Sequence, residues 1–354
     1  MTEYCTTTRA KLTTLDTPAQ IKKQAQPTIN QASIALYRQT IANIIAGADP
    51  RILCVVGPCS IHNADEAIEY ASLLTNLAKK TCDQLFIVMR VYLEKPRTAI
   101  GWQGFINDHT LTGDSDINHG ITDARNLLSN IHNLGMPIAT EFIDPIIPQY
   151  LGDLISYAAI GARTSQSQIH RQLASGLNMP IGFKNSTLGD VQGAINSIYA
   201  AQHPNQYLTI NNNGTAAIAH TSGNLDCHLI LRGSYNSSNY SKEDIAQARI
   251  MLNKLNSNNL VMIDCSHGNS NYDYRNQSKV LANIQSQLAS DDHGIMGVML
   301  ESNLCAGSQQ ITNQLNHGQS ITDGCIGWQE TENILLNLAD AIKTNTKITS
   351  SIKE

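Results

Sequence analysis

Residues 52–62 read Ile-Leu-Cys-Val-Val-Gly-Pro-Cys-Ser-Ile-His. The five apolar residues that open this stretch, three of them β-branched, suit a strand covered on both faces rather than one with a wet side. Outward along the chain the same kind of run recurs at Leu85–Val91, Pro137–Glu141, Ala158–Gly161, Pro180–Lys184, His228–Leu231, Leu260–Asp264 and Ile295–Leu300. Amphipathic helical stretches separate them, the pattern of a parallel sheet with covering helices. Eight such strands predict an α/β fold of the (β/α)8 TIM-barrel kind.

The barrel is expected over residues 51–345, with residues 1–50 as an N-terminal extension and 346–354 as a C-terminal tail. In the extension, Thr17-Pro18 has the form of a helix N-cap with proline at the first helical position. A helical pattern then runs from Gln31 to Ile45 and is stopped by Gly47 and Pro50. Two connections exceed what a strand–helix unit needs. One, Tyr92 to His119, is rich in Gly, Asp and Asn. The other, about residues 203–226, holds two alternating runs, Tyr207–Ile210 and Thr215–His220, around Asn213-Gly214, which predicts an inserted β-hairpin.

A net charge of −5 in a chain of 354 residues argues against nucleic acid as a partner, because duplex binding rests on neutralising phosphates with Lys and Arg. An anionic substrate would need a local cluster of cations working against that overall field. No apolar core of a signal peptide opens the chain and no run approaches membrane-spanning length, so a cytoplasmic protein without a membrane partner is expected. Eight cysteines occur with no Cys-x-x-Cys pair, which suggests neither a zinc ribbon nor a redox dithiol. Cys54, Cys265 and Cys305 are expected as free buried thiols.

Barrel enzymes carry their chemistry at the carboxyl ends of the strands. Those ends, taken in order, give Cys59, Arg90, Glu141, Arg163, Lys184, Arg232, His267 and Glu301. A composition with 15% charged residues would place about one charged side chain among eight positions, and six are found. Arg90, Arg163, Lys184 and Arg232 converge as cations on one mouth, with Lys95 and Arg97 close behind the second strand. Like charges so gathered imply a ligand bearing phosphate and carboxylate, unless each pairs with a carboxylate of its own. Cys59, His267 and Glu301, with Asp323 beyond the last strand, form a mixed set that suits one Mn²⁺, Fe²⁺, Co²⁺ or Zn²⁺ ion better than Mg²⁺ or Ca²⁺. Taken singly, Cys59 and His267 read as an ordinary buried thiol and an ordinary satisfied histidine.

The segments Gly57-Pro58-Cys59-Ser60-Ile61-His62, Glu94-Lys95-Pro96-Arg97-Thr98, Gly161-Ala162-Arg163-Thr164, Gly182-Phe183-Lys184-Asn185, Asp264-Cys265-Ser266-His267-Gly268-Asn269-Ser270 and Ser320-Ile321-Thr322-Asp323 resemble those of type I 3-deoxy-D-arabino-heptulosonate 7-phosphate (DAHP) synthases. That resemblance implies a transferase of aromatic amino-acid biosynthesis, which condenses phosphoenolpyruvate with erythrose 4-phosphate at the first step of the shikimate pathway. It implies Cys59, His267, Glu301 and Asp323 as metal ligands, and Arg90, Ala162, Arg163, Lys184 and Arg232 around phosphoenolpyruvate. Arg97 and Thr98 would hold the phosphate of erythrose 4-phosphate, with Lys95 between the substrates. One departure is Asn185-Ser186-Thr187-Leu188-Gly189, where relatives usually have Asn-Gly-Thr-Asp-Gly. Serine there would shift the turn if the position needed a positive φ.

The expected chemistry is Lewis-acid activation of the aldehyde by the metal, with Lys95 as acid for the new hydroxyl and Glu141 guiding water. Alignment of the two substrates can supply roughly 7–11 kcal/mol, which is why so many cations would serve positioning. The resemblance also implies a homodimer or homotetramer in which extension and hairpin help form an effector pocket. Asp144, Pro148, Gln149, Asn178, Tyr207, Thr209 and Ala219 would line it, and the stretches Asp144-Pro145, Pro148-Gln149-Tyr150-Leu151-Gly152-Asp153-Leu154 and Asp264-Cys265-Ser266-His267-Gly268-Asn269-Ser270-Asn271 look most like the tyrosine-inhibited isoenzyme. Two other readings compete: a related synthase or metal aldolase acting on another sugar, and a barrel that only senses amino acids.

Overall fold

The computed structural model describes residues 3–4, 11–25, 30–113, 116–290 and 293–352, with side chains described as far as Thr344. Eight parallel strands form a closed barrel: Ile52–Gly57, Leu85–Arg90, Ile138–Glu141, Tyr157–Ile160, Ile181–Lys184, Cys227–Leu231, Val261–Asp264 and Ile295–Glu301. Each pairs with the next in the chain and the last pairs with the first. Every one lies within one residue of an expected run at each end, because strands buried on both faces carry an unbroken apolar signal.

The two faces are sorted by the two-residue period of a strand. Leu53, Val55, Val88, Ala139, Tyr157, Ala159, Ile230, Met262 and Met299 share one buried cluster, the barrel interior. Ile52, Cys54, Val56, Ile87, Met89 and Ile138 belong instead to the cluster between barrel and helices. The interior cluster also contains Ile41, Ile44 and Ile45, which come from the helix Gln31–Ile45. This helix therefore plugs the mouth where the strands begin. Arg38 on the same helix fastens it by donating to the carbonyl oxygens of Gly152 (2.7 Å) and Ile155 (2.7 Å).

Ahead of the plug, the helix Pro18–Gln24 opens with a reciprocal capping box between Thr17 and Gln20. It docks on the inserted hairpin, Gln206–Ile210 paired antiparallel with Ala216–His220, through Ala19 N–H donating to Asn212 O at 2.9 Å. The final helix, Trp328–Ile352, runs on into the stretch read as a tail. Cys54 and Cys265 are buried free thiols, but Cys305 is exposed. It sits in the excursion after the last strand, where its backbone N–H donates to Gly318 O and its side chain faces out. Among the described residues no helix is long and apolar enough to cross a membrane.

Candidate active site

Counting by twos from the interior residues leads straight to the charged mouth. Val88 leads to Arg90, Ala139 to Glu141, Gly182 to Lys184, Ile230 to Arg232, Met262 to Asp264 and Met299 to Glu301. The same alternation that packs the barrel thus aims these side chains inward where the strands end. Arg90, Glu141, Lys184, Arg232, Asp264 and Glu301 are all buried. Arg90, Lys95, Glu141, Ala162, Arg163, Lys184, Arg232, His267 and Asp323 line one pocket at this mouth. Arg97 and Thr98 do not line it; both are exposed on the adjoining loop, Thr98 accepting from Nε of Arg163 at 3.0 Å.

The cations divide by partner. Arg90 donates to Oε1 of Glu301 at 2.8 Å and to the carbonyls of Pro58 and Cys59, with its guanidinium 3.6 Å from the centre of the Tyr92 ring. Lys184 donates to Oδ2 of Asp264 at 2.7 Å. Among the described residues Arg163 and Arg232 have no carboxylate partner, and Nε of Arg232 is buried without any acceptor. Two positive charges and one unsatisfied donor facing a pocket make a receptor for an anion. Oε1 of Glu141 is likewise buried without a partner. Gly161 makes room for that carboxylate, since a Cβ there would stand 2.1 Å from Oε1.

Beside the cations lies a nest of ligating groups. Ligand atoms of Cys59, Glu301 and Asp323 all lie within 4.8 Å of one another, with Sγ of Cys59 3.4 Å from Oδ2 of Asp323. Ligands on a tetrahedral ion with bonds of about 2.0–2.3 Å stand roughly 3.3–3.7 Å apart, so the spacing fits a small divalent ion. His267 stands outside that trio, with Nε2 3.7 Å from Oε1 of Glu301. Its backbone is held at φ 57°, a left-handed conformation uncommon for a residue with a side chain. Asp323 is brought in by the excursion after the last strand, which is stitched down at Ser302–Ile326, Gly307–Cys325 and Ser308–Ser320.

The charges of this nest depend on one another. Burial and the Glu301 carboxylate push the Cys59 thiol up to about 12, so it would lose its proton to solvent only where a bound cation stabilises the thiolate. Burial alone would lower Lys95, but Cys59 and Glu301 outweigh it and hold the ammonium above its ordinary range. Nζ of Lys95 lies 3.1 Å from Sγ of Cys59. Burial would likewise raise Asp323, yet Lys95 and His267 keep it below the usual carboxylate range.

Three positioning residues escaped the reading of the sequence. Asp264, fully buried, contacts Nδ1 of His267 at 3.0 Å and Nζ of Lys184 at 2.7 Å. Burial would raise its carboxyl, but Lys184 and the hydrogen-bonding His267 ring hold it well below the ordinary range. A carboxylate on Nδ1 leaves Nε2 of the ring as the free ligand atom, the usual support for a metal-binding histidine. Asn185 accepts from Arg232 N–H at 2.9 Å and donates to Gly233 O. Asn269 donates to the carbonyls of Leu231 and Asp264. Ser186, the departure from the usual glycine, needs no positive φ; that conformation falls at Gly189, φ 93°. Ser186 Oγ instead accepts from Asp190 N–H at 3.1 Å and closes the turn.

The effector candidates do not all meet. Gln149, Asn178, Tyr207 and Ala219 line a cleft between the hairpin and the helix Gln168–Gly176. Thr209 joins them through a 3.4 Å hydrogen bond from Gln149. Asp144 lines a different cleft with Leu15, Asn118 and Ile147, and Pro148 lines neither.

Known proteins share this arrangement across nearly the whole chain. The model of the DAHP synthetase I family matches residues 16–336. The Tyr-sensitive phospho-2-dehydro-3-deoxyheptonate aldolase of Escherichia coli (strain K12) is 47% identical over 325 residues, 91% of each chain. The Phe-sensitive form of the same strain is 47% identical over 329 residues, 92% of this chain and 94% of that one. The structure of phospho-2-dehydro-3-deoxyheptonate aldolase from Francisella tularensis SCHU S4 superposes with a TM-score of 0.92 at 46% identity, covering 95% of this chain and 98% of that one. An eight-stranded barrel with these motifs at one mouth, matched by model, sequence and structure alike, places the chain in the DAHP synthetase I family.

Proposed function

We propose that the chain condenses phosphoenolpyruvate with D-erythrose 4-phosphate, giving DAHP and phosphate, and does so with one divalent ion held by Cys59, His267, Glu301 and Asp323. The observation that carries this reading is the pairing of an ion-sized nest of ligands with a pocket whose Arg163 and Arg232 lack carboxylate partners. When bound, the ion supplies Lewis acidity toward an aldehyde oxygen. Arg232, Arg163, Lys184 and Arg90 grip the phosphate and carboxylate of phosphoenolpyruvate and fix the face it presents. Arg97 and Thr98 hold the phosphate of the sugar at the loop edge. Lys95, half-buried between the nest and the pocket, donates a proton to the oxygen of the former aldehyde as it becomes the new hydroxyl. Glu141, with an unsatisfied buried oxygen in the same pocket, orders the water that adds to the enol carbon.

Phosphate release from phosphoenolpyruvate tests the reading. Release is expected only with both substrates present, to vanish on metal stripping and to return on reloading with Mn²⁺. No release from the reloaded chain with both substrates would refute it. A five-carbon aldose phosphate that outcompetes the four-carbon one would point to a related synthase instead.

Regulation by an aromatic amino acid at the hairpin cleft is part of the same proposal. Identity does not choose the effector, being 47% to both the Tyr-sensitive and the Phe-sensitive relatives. Tyrosine is favoured on the motifs quoted above. Assembly into a homodimer or homotetramer would cover the cross-strand pair Leu208 and Ile218, 82% and 60% exposed on the hairpin.

A further inference from the structure

A second cluster of ligating side chains lies away from the barrel mouth. His109 comes from the loop after the second strand, and His119 and Asp123 from the first turns of the helix Ile117–Asn133. Ligand atoms of the three lie within 4.8 Å of one another. Oδ2 of Asp123 is 3.6 Å from Nε2 of His119 and 4.0 Å from Nε2 of His109. Ligands on a tetrahedral ion with bonds of about 2.0–2.1 Å stand about 3.3 Å apart, so Asp123 must close by about 0.3 Å on His119 and about 0.7 Å on His109, and the two rings must leave their parallel stack. Spacing of four on a helix sets His119 and Asp123 on one face, one turn apart.

The fold builds this meeting. Gly120 lets the helix start lie against the loop, since a Cβ there would stand 2.1 Å from Ile106 O. Trp102 Nε1 donates to Asp108 O at 2.8 Å and holds the loop next to His109. Independently of the cluster, Nδ1 of His109 is buried without a hydrogen-bond partner among the described residues. A buried imidazole nitrogen normally finds one; here the only charged group facing the ring among the described residues is Asp123, 4.0 Å from Nε2. The rings of His109 and His119 lie parallel with centroids 5.0 Å apart. His119, 63% exposed, has room to turn its ring from that stack onto a shared ion.

We propose that His109, His119 and Asp123 form a second divalent-cation site, clipping the loop that carries Lys95, Arg97 and Thr98 to the helix Ile117–Asn133. Two imidazoles and one carboxylate suit Zn²⁺, Ni²⁺ or Co²⁺ rather than Mg²⁺ or Ca²⁺. With no thiolate and one exposed ligand, it binds more weakly than the site at the barrel mouth.

Co²⁺ titration of the metal-stripped full-length chain tests this, since the two sites differ in colour. A thiolate-to-cobalt band in the near ultraviolet reports Cys59 alone and is expected to saturate at one equivalent. A second equivalent is expected to add only the weaker visible absorption of nitrogen and oxygen ligands. His119→Ala and Asp123→Asn should each bind one equivalent instead of two, with the thiolate band and Mn²⁺-supported phosphate release unchanged. Wild type saturating at one equivalent, or either variant keeping two, would overturn the second site. Loss of the thiolate band with the second equivalent intact would count against the barrel-mouth site and not against this one.

Discussion

The two mouths of the barrel are built from the same inward rows and end in opposite chemistry. At one end Leu53, Val88 and Met262 meet Ile41, Ile44 and Ile45 of the plugging helix, and nothing polar is needed. At the other the rows finish in Arg90, Glu141, Lys184, Arg232, Asp264 and Glu301, buried charges that must find partners or a ligand. The contrast separates what holds the fold from what acts. Apolar burial at the plug contributes stability without regard to substrate. The charged rim is tolerated because Asp264 and Glu301 neutralise two cations and leave Arg163 and Arg232 for an anion.

Substitutions at the two mouths should therefore fail in different ways. Cys59→Ser is expected to have the largest effect, losing nearly all phosphate release and most bound metal, because a hydroxyl is a poor substitute for thiolate. Metal content after dialysis against chelator checks it, and full activity there would contradict the proposed ligand. Asp264→Asn comes next. Relaxing the support of Nδ1 should weaken metal affinity by roughly 10–100-fold and raise the KM for phosphoenolpyruvate through Lys184. Both changes in one variant would set it apart from a lesion confined to either half of the site.

Ile44→Ala probes the opposite mouth. It should cost roughly 2–5 kcal/mol of stability in chemical unfolding while kcat of the folded fraction stays at the wild-type value. The smallest effect is expected inside the barrel, at His228 near the start of its strand. Its Nδ1–H donates to Leu229 O and its Nε2 accepts from Tyr157 at 3.0 Å. Burial lowers the ring from 6.5 to about 4, so it stays neutral in the folded chain while the unfolded chain takes up a proton below its ordinary pKa. Unfolding then binds protons between the two values, and stability falls as pH drops from about 6.5 toward about 4. His228→Gln should flatten that slope in unfolding measured across the window; an unchanged slope would assign the acid sensitivity elsewhere.

Much of this was legible beforehand, and the reason is burial. Strands covered on both faces leave continuous apolar runs, so all eight were readable, as was the plugging helix between its cap and Gly47. The rim was readable because charge at a strand end interrupts such a run. Asp264 was passed over because His267, three residues on, drew attention as the reactive side chain. Counting by twos from Met262 would have found it. Cys305 could not be placed, because an irregular excursion has no period that tells inside from outside. The cluster of His109, His119 and Asp123 was invisible for a related reason: a loop brings one ligand to a helix, and only Gly120 hints at their contact.

X-ray absorption of the chain loaded with one equivalent of Zn²⁺ addresses the central claim most directly, since the rim is held to gather one thiolate with nitrogen and oxygen ligands around one ion. The expected result is one sulfur neighbour at about 2.3 Å beside nitrogen and oxygen at about 2.0–2.2 Å. A shell of nitrogen and oxygen alone, at one equivalent and again at two, would contradict it.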